Sequence, residues 1–193
     1  MKKIGTIYLI LVFVACSSSP NVEQESSQTV ISLLKWYNAN MSTIGRINMV
    51  NNNGNAVVDS TKLYSVNFDS TEKYLSTLKM SGFFSEKYLQ LWRTNFKQYD
   101  EEFKTTPQYD GPPEAFDYDL IMCSQEYDED LKNLDKAKVI SQKSEENTTK
   151  LVFQFPSQMK IEYTLTKNLN KWEIDEIKNV TSFADDYMKA LNE

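Results

Sequence analysis

Three groups of residues in this 193-residue chain have the types and spacing to do chemistry. Asp117, Tyr118 and Asp119 set two carboxylates around a phenol. That is the material for a carboxylate base facing a tyrosine proton donor, provided one acid is buried in apolar surroundings and its pKa raised. The competing reading is that these residues cap and hydrogen-bond a loop-to-strand junction. Asp110, Asp117, Asp119, Asp128 and Asp130 offer the oxygen donors a hard cation such as calcium prefers. Their spacing matches no EF-hand and no glycine-rich repeat, and a solvated acidic surface is the preferred reading. The chain has two cysteines. Cys123 lies in Asp119-Leu-Ile-Met-Cys-Ser-Gln-Glu126, where acidic neighbours raise a thiol pKa instead of activating it, so it reads as a small buried hydrophobe. Cys16 closes an apolar run at the amino end.

Several chemistries are excluded by what the chain lacks. It has no histidine, which removes the commonest general base, the Ser/His and Cys/His nucleophile pairs, and the usual zinc and copper sites. None of its five glycines falls in a dinucleotide or P-loop spacing, so no nucleotide cofactor is expected. S-x-x-K occurs at Ser32/Lys35, Ser70/Lys73 and Ser76/Lys79, but the K-T-G and S-D-N companions of penicillin-recognising enzymes are missing.

The first sixteen residues run Met1-Lys2-Lys3, an eleven-residue apolar core from Ile4 to Val14, then Ala15-Cys16 followed by Ser17-Ser-Ser-Pro20. Eleven residues are too few to cross a bilayer, which needs about 20. The segment resembles the signal of a bacterial lipoprotein. Val14, Ala15 and Cys16 fit the last positions of its processing box, while Phe13 stands where the family usually has Leu. The resemblance implies cleavage of residues 1–15 and a diacylglyceryl thioether plus an amide-linked acyl chain, such as palmitate, on Cys16. Two or three acyl chains hold a protein on a membrane, at about 0.8 kcal/mol per buried methylene. Ser17 is not the Asp associated with inner-membrane retention, so the expected address is the outer membrane, facing the periplasm. An ordinary cleaved signal with a free Cys16, or an uncleaved anchor, are the alternatives.

Cleavage leaves 178 residues, enough for one domain with a core. Lipidation consumes one of the two cysteines, so no intrachain disulfide is expected even in an oxidising envelope. Without Lys2 and Lys3 the chain carries 19 basic against 27 acidic residues, a net charge of −8. Eleven acids against the single base Lys104 lie between Asp100 and Asp130, and the rest of the mature chain is slightly basic. Nucleic acid is thereby excluded as a partner, since phosphate binding needs a basic stripe.

The elements follow from periodicity. Residues 16–24 form a lipidated cysteine and polar tether. From about Glu25 to Met41, Val30, Leu34, Tyr37 and Met41 recur at helical steps. Asn51 to Asn55 reads as a turn. Asp69-Ser-Thr-Glu72 has the form of a capping box for a helix ending at Gly82. Ser85 starts a helix whose stripe is Tyr88, Trp92, Phe96, Tyr99 and Phe103, and prolines 107, 112 and 113 forbid helix beyond it. Four alternating segments follow, near residues 138–143, 151–155, 159–166 and 172–175, with turns between them: an antiparallel meander. A last helix is expected from about Ser182. Helices followed by such a sheet make an α+β domain, residues 25–193, with N-terminal helices packed on a curved antiparallel meander.

The processing box, Leu33-Leu-Lys-Trp-Tyr37, Asp117-Tyr-Asp-Leu-Ile-Met-Cys-Ser-Gln-Glu126 and Trp172-Glu-Ile-Asp-Glu-Ile177 resemble a family of uncharacterised bacterial envelope lipoproteins, a domain of unknown function with a nuclear-transport-factor-2-like, cystatin-like fold. The resemblance covers about residues 25–180. It implies a cone-shaped domain with a pocket between sheet and helices. The expected function is a lipid-anchored envelope domain that binds a protein partner or small ligand without turning it over; the alternative is a small pocket enzyme using Asp117, Tyr118 and Asp119. Radiolabelled palmitate should enter the protein in cells and be lost in Cys16→Ser; equal labelling of both forms would contradict the assignment.

Overall fold

The structure, a computed structural model, describes residues 22–52, 64–108, 113 and 115–181. The signal and Cys16, Asn53 to Asn55, Asp110 and the helix expected from Ser182 lie outside the described residues.

Helix α1 (Val22–Ile44) buries Val30, Leu33, Leu34 and Tyr37 on the stripe expected of it. It begins ahead of Glu25, so Val22 to Gln24, expected in the tether, are its first turn. Glu23 and Glu25 favour that start by placing negative charge at the positive end of the helix dipole. Glu25 also accepts from Trp172 Nε1 at 3.2 Å and Lys167 Nζ at 2.8 Å, which fixes the turn to the sheet.

Strand β1 (Val50–Asn52) pairs antiparallel with β2 (Tyr64–Val66), matching Asn51 to Ser65. Asn51 and Asn52, read as turn residues, are therefore strand. Their composition favours turns, but pairing with β2 prevails. Helix α2 (Phe68–Ser81) is capped by Asn67, whose side chain accepts from the Ser70 amide at 3.1 Å. The Asp69 box was thus read two residues late: Asp69 lies in the first turn and Asn67 supplies the acceptor. Gly82 ends the helix in the left-handed region, φ 73°, and its N–H bonds the Lys79 carbonyl.

Helix α3 (Glu86–Thr105) starts at the expected cap, Ser85, which accepts from the Tyr88 amide at 3.2 Å. Tyr88, Phe96 and Phe103 are buried, and Trp92 and Tyr99 pack partly buried beside them. Phe116 returns over this stripe, stacked on Phe96 at 5.9 Å and edge-on to Tyr99 at 5.7 Å. A short helix α4 (Asp128–Lys132) and a 3-10 turn (Leu134–Lys136) then lead into the sheet.

Strands β3 (Lys138–Glu145), β4 (Thr148–Gln154), β5 (Lys160–Asn168) and β6 (Lys171–Asn179) form one antiparallel sheet in chain order. The fold is α+β, with helices on the N-terminal side packed against an antiparallel meander. Leu151, Phe153, Ile161, Tyr163, Leu165, Trp172 and Ile174 face inward, as their alternation predicts. Thr164, expected on the wet face, is buried. The alternation of β5 is unbroken there, so Thr164 is covered on the outer face, and the bulge lies on β6: Glu176 pairs with Thr164 and Ile174 with Leu165, which leaves Asp175 as the extra residue, buried beside Ile174. Among the described residues no helix is long and apolar enough to cross a membrane.

Gly82→Ala should destabilise the protein by about 1–2 kcal/mol in thermal or urea melts, because alanine resists positive φ and its Cβ would meet Lys171 Nζ at 2.7 Å. An unchanged midpoint would show that the cap does not constrain α2.

Candidate functional site

The segment from Phe116 to Tyr127 crosses the C-terminal half of α1, and Asp119 is where the two are joined. Asp119 Oδ1 accepts from the amides of Ile121 at 2.9 Å and Met122 at 2.7 Å, folding the chain back on itself. Its own carbonyl takes the Cys123 amide at 2.7 Å, and its amide donates to the Ser124 carbonyl at 3.0 Å. The other carboxylate oxygen, Oδ2, accepts the hydroxyl of Tyr37 from α1 in a short hydrogen bond. The Tyr127 hydroxyl stands beside both groups.

This environment governs protonation. Burial raises the Asp119 pKa, and the bonds from Tyr37, Met122 and Ile121 only partly offset it. Tyr37 is pushed far above an ordinary phenol by burial and by the neighbouring carboxylate. Tyr37 is therefore the donor and Asp119 the acceptor. Burial, with Asp119 nearby, also pushes the Cys123 thiol up to about 11, so it is a poor nucleophile at neutral pH.

Of the sequence-derived acid–base candidates, Asp119 is joined to a tyrosine, but the tyrosine is Tyr37 and not Tyr118. Asp117, Tyr118 and Asp119 do share a shallow depression with Gln125 and Tyr127. Within it Asp117 accepts only from Gln125 Nε2 at 3.3 Å, and Tyr118 is turned outward with its hydroxyl beside Tyr99. Tyr37 reads in the sequence as one more member of a core stripe. Its hydroxyl, a polar tip in the apolar stripe of Val30, Leu33 and Leu34, was the available sign that a buried partner must exist.

The candidate cation ligands do not converge. Asp130 is buried and accepts from Ser157 through its amide at 3.0 Å and its Oγ at 2.6 Å, stapling α4 to the β4–β5 turn. Asp128 is exposed at the start of α4, and Asp110 lies outside the described residues. Among the described residues no three or more His, Cys, Asp or Glu side chains are arranged to hold a metal ion.

The space between sheet and helices, where the family resemblance implies a pocket, is occupied by Leu33, Leu75, Tyr88, Phe153 and Tyr163, all 2% exposed or less. Open cavities lie at its margins: one of about 490 Å³ between α3 and β6, lined by Trp92, Tyr118, Cys123 and Ile177, and one of about 440 Å³ at the C-terminal end of α1. Tyr37 and Asp119 line the latter together with Tyr74, Phe116 and the residues from Ile44 to Val50. Arg46 supplies the one cation among its lining residues. Its size lies in the usual range for small-molecule sites, and aromatic and aliphatic side chains line it alongside Arg46, Asn48 and Asp119. No family model matches the chain, and neither a curated protein nor a solved structure matches it.

Asp119 carries a pH signature whose sign is fixed by the direction of its shift. A carboxyl raised by folding favours the folded state most when protonated, so this contribution is complete below the unfolded value of about 3.9 and is lost as pH rises through the raised folded value. In urea melts the stability of the wild type relative to Asp119→Asn should therefore fall as pH rises from about 3.9 through that interval. A relative stability that climbs with pH would contradict the assignment.

Proposed function

We propose that this protein is a lipid-anchored component of the bacterial outer membrane, related to the lipoprotein family its sequence resembles, whose periplasmic domain binds a small ligand without transforming it. The observation that carries the binding role is the cavity at the end of α1, with aromatic walls, one guanidinium and a floor whose polar atoms are already engaged. Such a site favours a compact molecule with an apolar or aromatic body and a negative end for Arg46.

The enzyme reading has one observation in its favour: Asp119 has a raised pKa, touches a tyrosine and lines an open cavity. The arrangement of donors weighs against it. A general base needs a lone pair aimed at substrate. Here Oδ1 is held by two backbone amides and Oδ2 by Tyr37, so proton abstraction would require releasing the bonds that fold the loop.

8-Anilinonaphthalene-1-sulfonate, which pairs an aromatic body with a sulfonate, is a suitable first probe on the mature chain from Ser17. It should bind the native protein saturably with one-to-one stoichiometry. Arg46→Glu should weaken binding about tenfold or more, corresponding to about 1.4 kcal/mol, and Met49→Trp should block it by filling the cavity. Non-saturable binding, or binding indifferent to both substitutions, would refute the pocket.

A further inference from the structure

The two most exposed large hydrophobic side chains among the described residues lie in neighbouring turns at one end of the molecule. Leu169 is 94% exposed and Met80 79%, and no other large hydrophobic side chain among the described residues exceeds 48%. The two are far apart in sequence yet belong to neighbouring turns. Lys171, two residues after Leu169, donates from Nζ to the carbonyl of Gly82, two residues after Met80.

Leu169 is also an expensive choice for its position. It occupies the β5–β6 turn with φ 55°, a left-handed conformation that suits Asn or Gly and is uncommon for a bulky side chain. Asn168 and Asn170 flank it, so a residue better suited to the turn would serve folding at least as well. A strained, almost fully solvated leucine has no role in the core.

The same end is where α1 begins. Glu25, in its first turn, accepts from Lys167 and Trp172 at either side of the β5–β6 turn. Cys16 is six residues before Val22, and six residues span at most about 20 Å. A lipid on Cys16 therefore keeps this end of the domain near the bilayer. The acidic excess lies the other way: Asp117, Asp119 and Asp130 lie against the C-terminal half of α1 or the β4–β5 turn, at the far end of the sheet from Leu169. An anionic membrane repels that far end and tolerates the near one.

We infer that the end formed by the β5–β6 turn and the end of α2 is a membrane-contacting surface, with Leu169 and Met80 entering the lipid headgroup region beside the anchor. The domain then stands with α1 rising from the bilayer. Its 23 residues span about 34 Å, which holds the cavity at the distal end, open to the periplasm. This inference rests on the anchoring of Cys16.

The full-length chain carrying Cys123→Ser and either Leu169→Cys or Gln158→Cys is purified from membranes and labelled with a nitrobenzoxadiazole maleimide. It is then reconstituted in vesicles of phosphatidylethanolamine with a minority of phosphatidylglycerol. Gln158 lies in the β4–β5 turn, at the opposite end of β5. The probe at 169 should shift to the blue, brighten several-fold and be quenched by lipids spin-labelled near the headgroup, while the probe at 158 stays aqueous. An aqueous probe at 169, or shielding at 158 alone, on protein whose intact mass carries the lipid would overturn the orientation and leave the anchor standing. Protein without the lipid mass would overturn the anchor and this inference with it. Leu169→Asn relieves the backbone strain, so it should fold normally while increasing the domain's mobility on the vesicle; unchanged mobility would count against insertion.

Discussion

The structure depends on carboxylates that are not free to act. Asp119 ties the Phe116–Tyr127 segment to α1 through Tyr37, and Asp130 ties α4 to the β4–β5 turn through Ser157. Asp100 on α3 accepts the Val66 amide of β2 at 3.0 Å, and Asp175 on β6 bridges to Thr166 at 2.8 Å and Lys87 at 3.2 Å. Each acid joins two separate segments of the chain. Removing the carboxylate strands buried amides or hydroxyls, which costs more than the bond contributes when made. For Asp100, the ion pair with Lys104 and the Val66 amide prevail over burial and hold the carboxyl below its usual value. Among the described residues no lysine or arginine offsets the burial of Asp119, and its pKa rises instead. That contrast makes Asp119 resemble a catalytic acid while its hydrogen bonds assign it to the fold.

The sequence was informative where one physical rule dominated. Period-two alternation located β4, β5 and β6, because each has one face against the helices, while β3, exposed along nearly its whole length, gave the weaker signal. Helix ends were legible at Ser85 and Gly82, where a hydroxyl acceptor and a tolerance for positive φ are local properties. Reading failed where a distant partner decided. Asn51 and Asn52 are turn formers held in a strand by β2. Thr164 is a polar residue buried on the face that alternation leaves to water, opposite the β6 bulge at Asp175. The sequence points to an acid–tyrosine pair as a type and to Asp119 as one of its candidate acids. Its partner comes from 82 residues away, and no local spacing could identify it.

Polarity along α1 organises the rest. Its N-terminal turn is fixed to the sheet by Glu25, close to where an anchor at Cys16 would leave the domain. Its C-terminal half carries Tyr37 and leads to the cavity wall at Ile44 to Val50. One helix thus separates the β5–β6 turn from the open cavity. The interior between them is filled by aliphatic and aromatic side chains such as Leu33, Leu75, Tyr88, Phe153 and Tyr163.

The latch between Tyr37 and Asp119 is tested most directly by a double-mutant cycle with Tyr37→Phe, Asp119→Asn and the pair, followed by chemical denaturation at neutral pH. A coupling energy of about 1–3 kcal/mol is expected, because each substitution alone strands the partner the other retains. Strictly additive losses would mean that the two groups stabilise the fold independently and that Asp119 is not the tie between the loop and the helix.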